Sequence, residues 1–458
     1  MQFAFNLGMQ NDILLRNRAL GLIEQLRHRM VDPALCARHR RRPENFTREC
    51  RLRFPVLMIV LLQKSLKSLQ ARLHELLRQL AQGVELGRLS AGAVTHARAK
   101  LCASAFVELN QQGVLPIVYG VEHQELVRRW RGHRLLGVDS SVVRLPKSEA
   151  VAKKFGWMEC FHNGGLTQRY PQGRLSVLYD LLNEVALEAH LEAWKTGEEQ
   201  MAHRHLERVQ TGDLLISDRG YTSYFWVWDV LSRNVHFVSR CSASSFGVSQ
   251  KLYQQNRAGV SIVVKLQAPK GFKTECRKRG WPLEVTVRFV TVRLKSGELE
   301  LLVTSLLDQS LYPTEEFAQL YRYRWGQETY YGRLKGRMDL DNCSGLTVEA
   351  VEQDFAATIL LSNVESVLIG PATTKLAERT TARKQPAKIN RALSLHALKT
   401  RLIDLLASAV PAEKVLAELT EWFQQNPVSL RPGRKVPRGS FSFARSYHYQ
   451  RYVRKTVY

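Results

Sequence analysis

The sequence predicts an α/β protein, a mixed sheet with helices that carries a β-rich insertion and is bounded by helical N- and C-terminal regions. Three observations carry this. Apolar spacing is helical to about residue 130. From residue 134 it changes to short apolar or alternating runs broken by Gly and Asn, and after Pro313 it is helical again. At 458 residues and 45% hydrophobic content, the chain has ample material for a buried core, which excludes a disordered or fibrous protein. Its 67 Lys and Arg against 42 Asp and Glu leave a net charge of +25, which calls for a polyanionic partner.

Within residues 1–130, Ile13 to Met30 and Phe54 to Leu80 show helical spacing. The stretch between them sets Arg38, Arg40, Arg41, Arg42, Arg48, Arg51 and Arg53 against only Glu44 and Glu49, a basic patch. Ser90 caps a short helix carrying His96, Arg98 and Lys100, of the kind that could enter a DNA groove. Strands are expected at 135–145, 174–183, 185–194, 213–218 and 235–241. VSIVVKLQ, LEVTVRFVTVRLK and LELLVTSLL form the β-rich insertion, and helices run from Pro313 to Ile369. Pro371 opens a polar, basic connector, two amphipathic helices follow at about 391–408 and 411–424, and the last 28 residues carry eight basic and no acidic side chains among Phe and Tyr.

Several chemistries lack their signatures: there is no phosphate-binding G-x-x-x-x-G-K-[ST], no dinucleotide G-x-G-x-x-G and no G-x-S-x-G elbow. The seven cysteines are odd in number and scattered, so neither a disulfide framework nor structural zinc is expected. The longest apolar runs fall short of a membrane span and the N-terminus lacks a signal-peptide pattern, so a soluble cytoplasmic protein is expected.

Chemistry concentrates in EFAQLYRYRWGQETYYGRLKGRM. On a continuous helix, Tyr321, Arg324, Glu328 and Lys335 fall within about 60° of one another, so one stripe holds a carboxylate, two cations and a phenol. An i,i+4 Arg–Glu pair is common on solvated helices. Large rings at Trp325, Tyr330 and Tyr331 are not. Asp139 and Asp218 each end a short apolar strand. With Glu328 they make three carboxylates, flanked by Arg219, Arg324 and Lys335, a donor set suited to two hard divalent ions on a phosphodiester.

These residues resemble the DDE transposases of the insertion-sequence-four group, encoded by bacterial mobile elements. The signature Tyr, two residues, Arg, three residues, Glu, six residues, Lys is met by Tyr321, Arg324, Glu328 and Lys335. The first motif, Asp followed by a small hydroxylated residue, matches Asp139-Ser140-Ser141. The second, Asp-x-Gly-Tyr, matches Asp218-Arg219-Gly220-Tyr221. The long interval from Asp218 to Glu328 is similar to members with a β-rich insertion there.

The resemblance implies a ribonuclease-H-like catalytic domain that binds element-end DNA, cleaves the donor and transfers strands to a target. Asp139, Asp218 and Glu328 would hold two Mg²⁺ ions, with Mn²⁺ able to substitute. Tyr321, Arg324, Lys335 and Arg219 would contact DNA, and Trp325 would stack on a displaced base. A homodimer on paired DNA ends and excision through a DNA hairpin are implied by better-known relatives, and the partner is double-stranded DNA with no membrane involved. The expected domains are a helical DNA-binding region (1–130), the catalytic domain (131–241 and 302–370) split by the insertion (242–301), and a helical C-terminal region with the basic aromatic tail (371–458). Two rivals are a ribonuclease-H-like host nuclease and a non-catalytic DNA-binding protein derived from a transposase. The motif helix and β insertion count against the first, and the intact carboxylates against the second.

Overall fold

In a computed structural model, the change of periodicity near residue 134 coincides with the first strand. Residues 2–429 are described, except Glu49, Arg51, 65–68, Arg72, 75–88, 163–164, 295–296, 381–385 and 408–409, and the expected aromatic tail lies outside them. The helices are α1 (Gln2–Val31), α2 (Pro33–His39), α3 (Phe54–Leu62), α4 (Ala91–Arg98), α5 (Ser104–Glu108), α6 (Leu115–Tyr119), α7 (Glu149–Phe155), α8 (Glu198–His205), α9 (Tyr224–Ser232), α10 (Gly247–Gln255), α11 (Lys273–Arg279), α12 (Phe317–Arg322), α13 (Trp325–Gly336), α14 (Val348–Leu368), α15 (Gly370–Thr380), α16 (Arg391–Leu406) and α17 (Ala412–Gln424). The strands are β1 (Leu135–Arg144), β2 (Trp157–His162), β3 (Gly165–Asp180), β4 (Val185–Ala193), β5 (Leu214–Ser217), β6 (His236–Cys241), β7 (Ser261–Gln267), β8 (Glu284–Arg293), β9 (Leu299–Thr304), β10 (Ala387–Lys388) and β11 (Val428–Ser429).

The chain forms two compact units. One takes the residues up to Val127, Val143–Gly173 and those from Arg333 onward; the other takes Arg128–Val142 and Arg174–Gly332. In the first, α14 is its central helix, capped by Thr347 on the Ala350 amide at 3.2 Å and buried on nearly every side, so no single apolar stripe is needed. It packs against α3 and α5. The Ser90 cap is present, its Oγ accepting from the Ala93 amide at 3.1 Å. Arg98 departs from its expected role on DNA: it is buried, donating to Asp354 at 2.5 Å and to Gln353 at 2.6 Å. A guanidinium so enclosed ties α4 to α14 and is withdrawn from solvent, while His96 and Lys100 stay exposed. The expected basic patch is partly neutralised, because Arg38 pairs with Glu108 at 2.5 Å and Arg41 with Glu349 at 2.9 Å.

Pro371 does not open a connector. It lies in the first turn of α15, where its missing amide hydrogen would have no partner within the helix. β2 and the first part of β3, antiparallel from Trp157 opposite Pro171, also belong to this unit, β3 from Arg174 onward belonging to the second. Among the described residues no single helix is long and apolar enough to cross a membrane.

The second unit is built on a sheet ordered β4-β3-β1-β5-β6-β9-β8-β7. The β1–β5 and β5–β6 pairs are parallel, whereas β6–β9, β9–β8 and β8–β7 are antiparallel. This is the mixed sheet expected. The β-rich segment does not stand apart from it, since β9 pairs directly with β6 and carries β8 and β7 outward. β5 (LLIS) is buried along its whole length, as a central parallel strand covered on both faces must be. Helix α9 buries Trp226 and Trp228, the Trp228 indole donating to the Pro282 carbonyl at 2.6 Å.

Candidate active site

The parallel register pairs Val138 with Ser217, so the next residues, Asp139 and Asp218, stand side by side where that pairing ends; Asp218 follows the last residue of β5, but Asp139, expected at a strand end, lies within β1, which runs on to Arg144. Each carboxylate is steadied by the amide that follows it: Ser140 N donates to Asp139 at 2.8 Å and Arg219 N to Asp218 at 2.7 Å. The third carboxylate comes from helix α13. Arg324 Nη2 lies 2.8 Å from Glu328 Oε1 and its Nη1 3.9 Å from Asp139 Oδ2, so one guanidinium joins first and third carboxylates. Tyr321 donates its hydroxyl to Asp218 at 3.3 Å, bringing in the second.

The continuous helix assumed for this stripe is interrupted. Between α12 and α13 the bonds from Tyr323 N to Leu320 O, Arg324 N to Tyr321 O and Gly326 N to Tyr323 O span three residues, so the chain tightens for one turn. The tight turn has a packing correlate: at Gly326 a β-carbon would come within 3.2 Å of Leu181. A three-residue turn rotates the residues beyond it by more than α-helical spacing allows, yet Arg324 still spans to both Glu328 and Asp139.

Burial raises Asp139. The neighbouring carboxylates of Asp218 and Glu198 add to that rise, the Ser140 amide and Arg324 oppose it, and the net result is a group pushed up to about 6. It is therefore mostly ionised at neutral pH, its rise owed chiefly to burial. Burial also lifts the Tyr321 phenol, with Asp218 adding to the rise, so it stays a neutral donor. Arg324 is raised: burial works against its charge, but Tyr321, Asp218 and Glu328 outweigh it. Its Nε is buried with no hydrogen-bond partner among the described residues, leaving a donor without an acceptor inside the cluster.

Trp325, 48% exposed, offers its ring outward, and the Arg324 guanidinium lies 5.4 Å from its centroid. Arg219 stands exposed in the turn after β5. Lys335, near the end of α13, falls in the first unit, where burial lowers it and Asp341 opposes that effect.

Several neighbours were not singled out in the sequence. Gln327 is fully buried and donates to the Val177 carbonyl at 3.0 Å and to the Tyr331 hydroxyl at 3.2 Å. A side chain at Gly137 would collide with Gln327 Oε1 at 2.7 Å, which explains a glycine in the middle of β1. Arg174 reaches Ser140 Oγ at 3.2 Å and pairs with Glu198, adding a fourth carboxylate beside Asp139. A polar residue following the motif Trp-Gly was a weak signal for Gln327. Nothing in the pattern flagged Glu198.

Residues 130–364, just over half of the chain, match the transposase DDE domain family. The chain is similar to the transposase InsG for insertion sequence element IS4 of Escherichia coli strain K12, 27% identical over 246 residues, or 51% of this chain and 52% of that protein. The match thus spans about half the length of this curated relative. A cryo-EM structure of the piggyBac transposase synaptic complex with hairpin DNA aligns with a TM-score of 0.39 at 10% identity, covering 93% of this chain and 87% of that one. So low a TM-score does not establish a common fold.

Proposed function

Because this chain belongs to the transposase DDE domain family, we propose that it is the transposase of an insertion sequence. It would bind double-stranded element-end DNA, cleave it and join it to a target, working as a homodimer on paired ends in the cytoplasm. The observation that carries this reading is the side-by-side arrangement of Asp139 and Asp218 on parallel strands, with Glu328 brought to them through Arg324.

Asp139 and Asp218 side by side, with Glu328 tied to Asp139 through Arg324, form a hard-oxygen donor set, so the residues fit a divalent metal such as Mg²⁺. Asp139, Asp218 and Glu328 would hold it. Divalent ions held there would supply Lewis-acid polarisation of a phosphodiester. The chain's own residues do the rest. Arg324, with an unused Nε, clamps a non-bridging phosphate oxygen while holding Glu328 in place. Tyr321 orients Asp218 through its hydroxyl, Arg219 and Lys335 contact flanking phosphates, and the exposed Trp325 ring stacks on a base unstacked at a sharp bend.

The test is Asp139→Asn on DNA carrying the inverted repeats that flank the gene. In Mg²⁺ the wild type should nick the end, and the variant should bind with the same gel-shift affinity while nicking falls to background. A variant that cleaves at the wild-type rate removes Asp139 from the site, and a wild type that binds no end DNA removes the reading itself.

A further inference from the structure

On the far side of β3 from the proposed DNA chemistry, Glu188 and His190 of β4 share a face, as alternate strand residues do, and His205 ends α8 opposite them. Glu188 Oε2 lies 2.9 Å from His205 Nδ1 and 3.1 Å from His190 Nε2. The ligand atoms all lie within 4.8 Å of one another, and the two ring planes differ by only 25°. His205 is fully buried, and the His190 side chain is 26% exposed.

We propose that Glu188, His190 and His205 form a second metal site, of the zinc type, separate from the three-carboxylate cluster. Two imidazole nitrogens and one carboxylate are the donor set of borderline ions such as Zn²⁺ rather than of Mg²⁺. The 2.9 and 3.1 Å separations come close to the ~3.3 Å edge of a tetrahedron with bonds of about 2.0–2.1 Å, and the two imidazole nitrogens lie within 4.8 Å of each other. Water would supply a fourth ligand.

Hydrogen accounting supports this. Ser176 Oγ has one hydrogen but two neighbours that can accept it, His205 Nε2 at 3.0 Å and the Asp139 carbonyl at 3.3 Å. A neutral His205 that keeps its hydrogen on Nδ1 for Glu188 would compete with Asp139 for that hydroxyl. With a metal on Nδ1, the hydrogen sits on Nε2 and donates to Ser176, whose hydroxyl is then free to donate to Asp139. Arg208 Nε, 3.0 Å from Glu188 Oε1, fixes the second carboxylate oxygen. Ligands held by such outer partners mark metal centres. The bound ion would tie β4 to the end of α8, the helix whose first residue is Glu198.

The test needs no DNA and is independent of the transposase reading. The full chain is titrated with Co²⁺, which absorbs visible light far more strongly when four-coordinate than when six-coordinate, and then with Zn²⁺. Wild type and Asp139→Asn should each develop the intense band at one equivalent, lose it as Zn²⁺ displaces Co²⁺, and gain thermal stability with Zn²⁺. His190→Ala, at a partly exposed ring, and Glu188→Gln should bind at least about 100-fold more weakly and lose both signals. No band in the wild type, a band that survives in His190→Ala, or a band lost in Asp139→Asn overturns the proposal. The first two results leave a proton-bridged trio; the third gives the metal to the carboxylate cluster.

Discussion

The Tyr331 hydroxyl donates to the main-chain carbonyl of Asp139 at 2.5 Å, fastening helix α13 to the middle of strand β1. The bond is part-buried, and Gln327 braces the same hydroxyl from one turn earlier. The helix that supplies the third carboxylate is therefore held to the strand that supplies the first by groups outside the three-carboxylate motif. For a site that must hold its ligands to within about half an ångström, such supports matter as much as the ligands.

Tyr331→Phe removes that donor from the Asp139 carbonyl, to which Ser176 Oγ makes a longer contact at 3.3 Å. Unfolding in urea should show a loss of about 1–2 kcal/mol. Single-turnover cleavage of end DNA should slow while gel-shift affinity holds. Cleavage at the wild-type rate would mean that the bond stabilises the fold without setting Asp139.

Arg324 and Trp325 are adjacent in sequence but differ in surroundings, the first 6% and the second 48% exposed. Arg324→Ala should depress every chemical step, because it frees Glu328 and removes the phosphate clamp. Trp325→Ala should spare the first nick and slow hairpin formation or opening by about 5- to 150-fold, the equivalent of ~1–3 kcal/mol of base stacking. Single-turnover assays on intact and pre-nicked ends separate the steps. If Trp325→Ala matches the wild type through both hairpin steps, the ring has no base to hold.

Asp354 lies fully buried between Arg98 at 2.5 Å and Lys64 at 3.8 Å, and also accepts from the Ser344 amide at 2.5 Å. Burial acts to raise it, but the two cations and the Ser344 bonds outweigh burial and hold it below the usual carboxylate range. A depressed carboxylate contributes stability that is present above its unfolded value near 4 and is lost as pH falls through the folded one. Asp354→Asn should therefore cost about 3–5 kcal/mol at pH 7, since it strands two buried cations. Urea unfolding at a series of pH values should show that cost undiminished at pH 5 and shrinking below pH 4. A cost that stays constant to pH 3 would mean Asp354 is not bound as an anion.

DNA binding should weaken steeply with salt, the slope of log K against log salt being about −0.9 for each phosphate neutralised on a duplex. A chain ending at Asn426 lacks the basic aromatic segment and should give a shallower slope. Equal slopes for the two chains would assign that segment no phosphate contacts.

The features legible in the sequence were local and periodic. The switch from helical to alternating spacing near residue 134 and the Ser90 cap depend on near neighbours, and both can be read one turn or one strand at a time. The same is true of the Tyr321, Arg324, Glu328 and Lys335 spacing. Which charges serve the core and which face outward was settled only by the folded chain. Arg98 had the same local pattern as an exposed helical cation, but Asp354, Gln353 and Ser344 arrive from more than 200 residues away to enclose it. Glu198, Gln327 and the Glu188–His190–His205 trio escaped notice for the same reason: each owes its meaning to a partner on another strand or helix. A carboxylate, amide or imidazole looks the same in sequence whether it meets water or another chemical group, and only the path of the chain through space chooses between them.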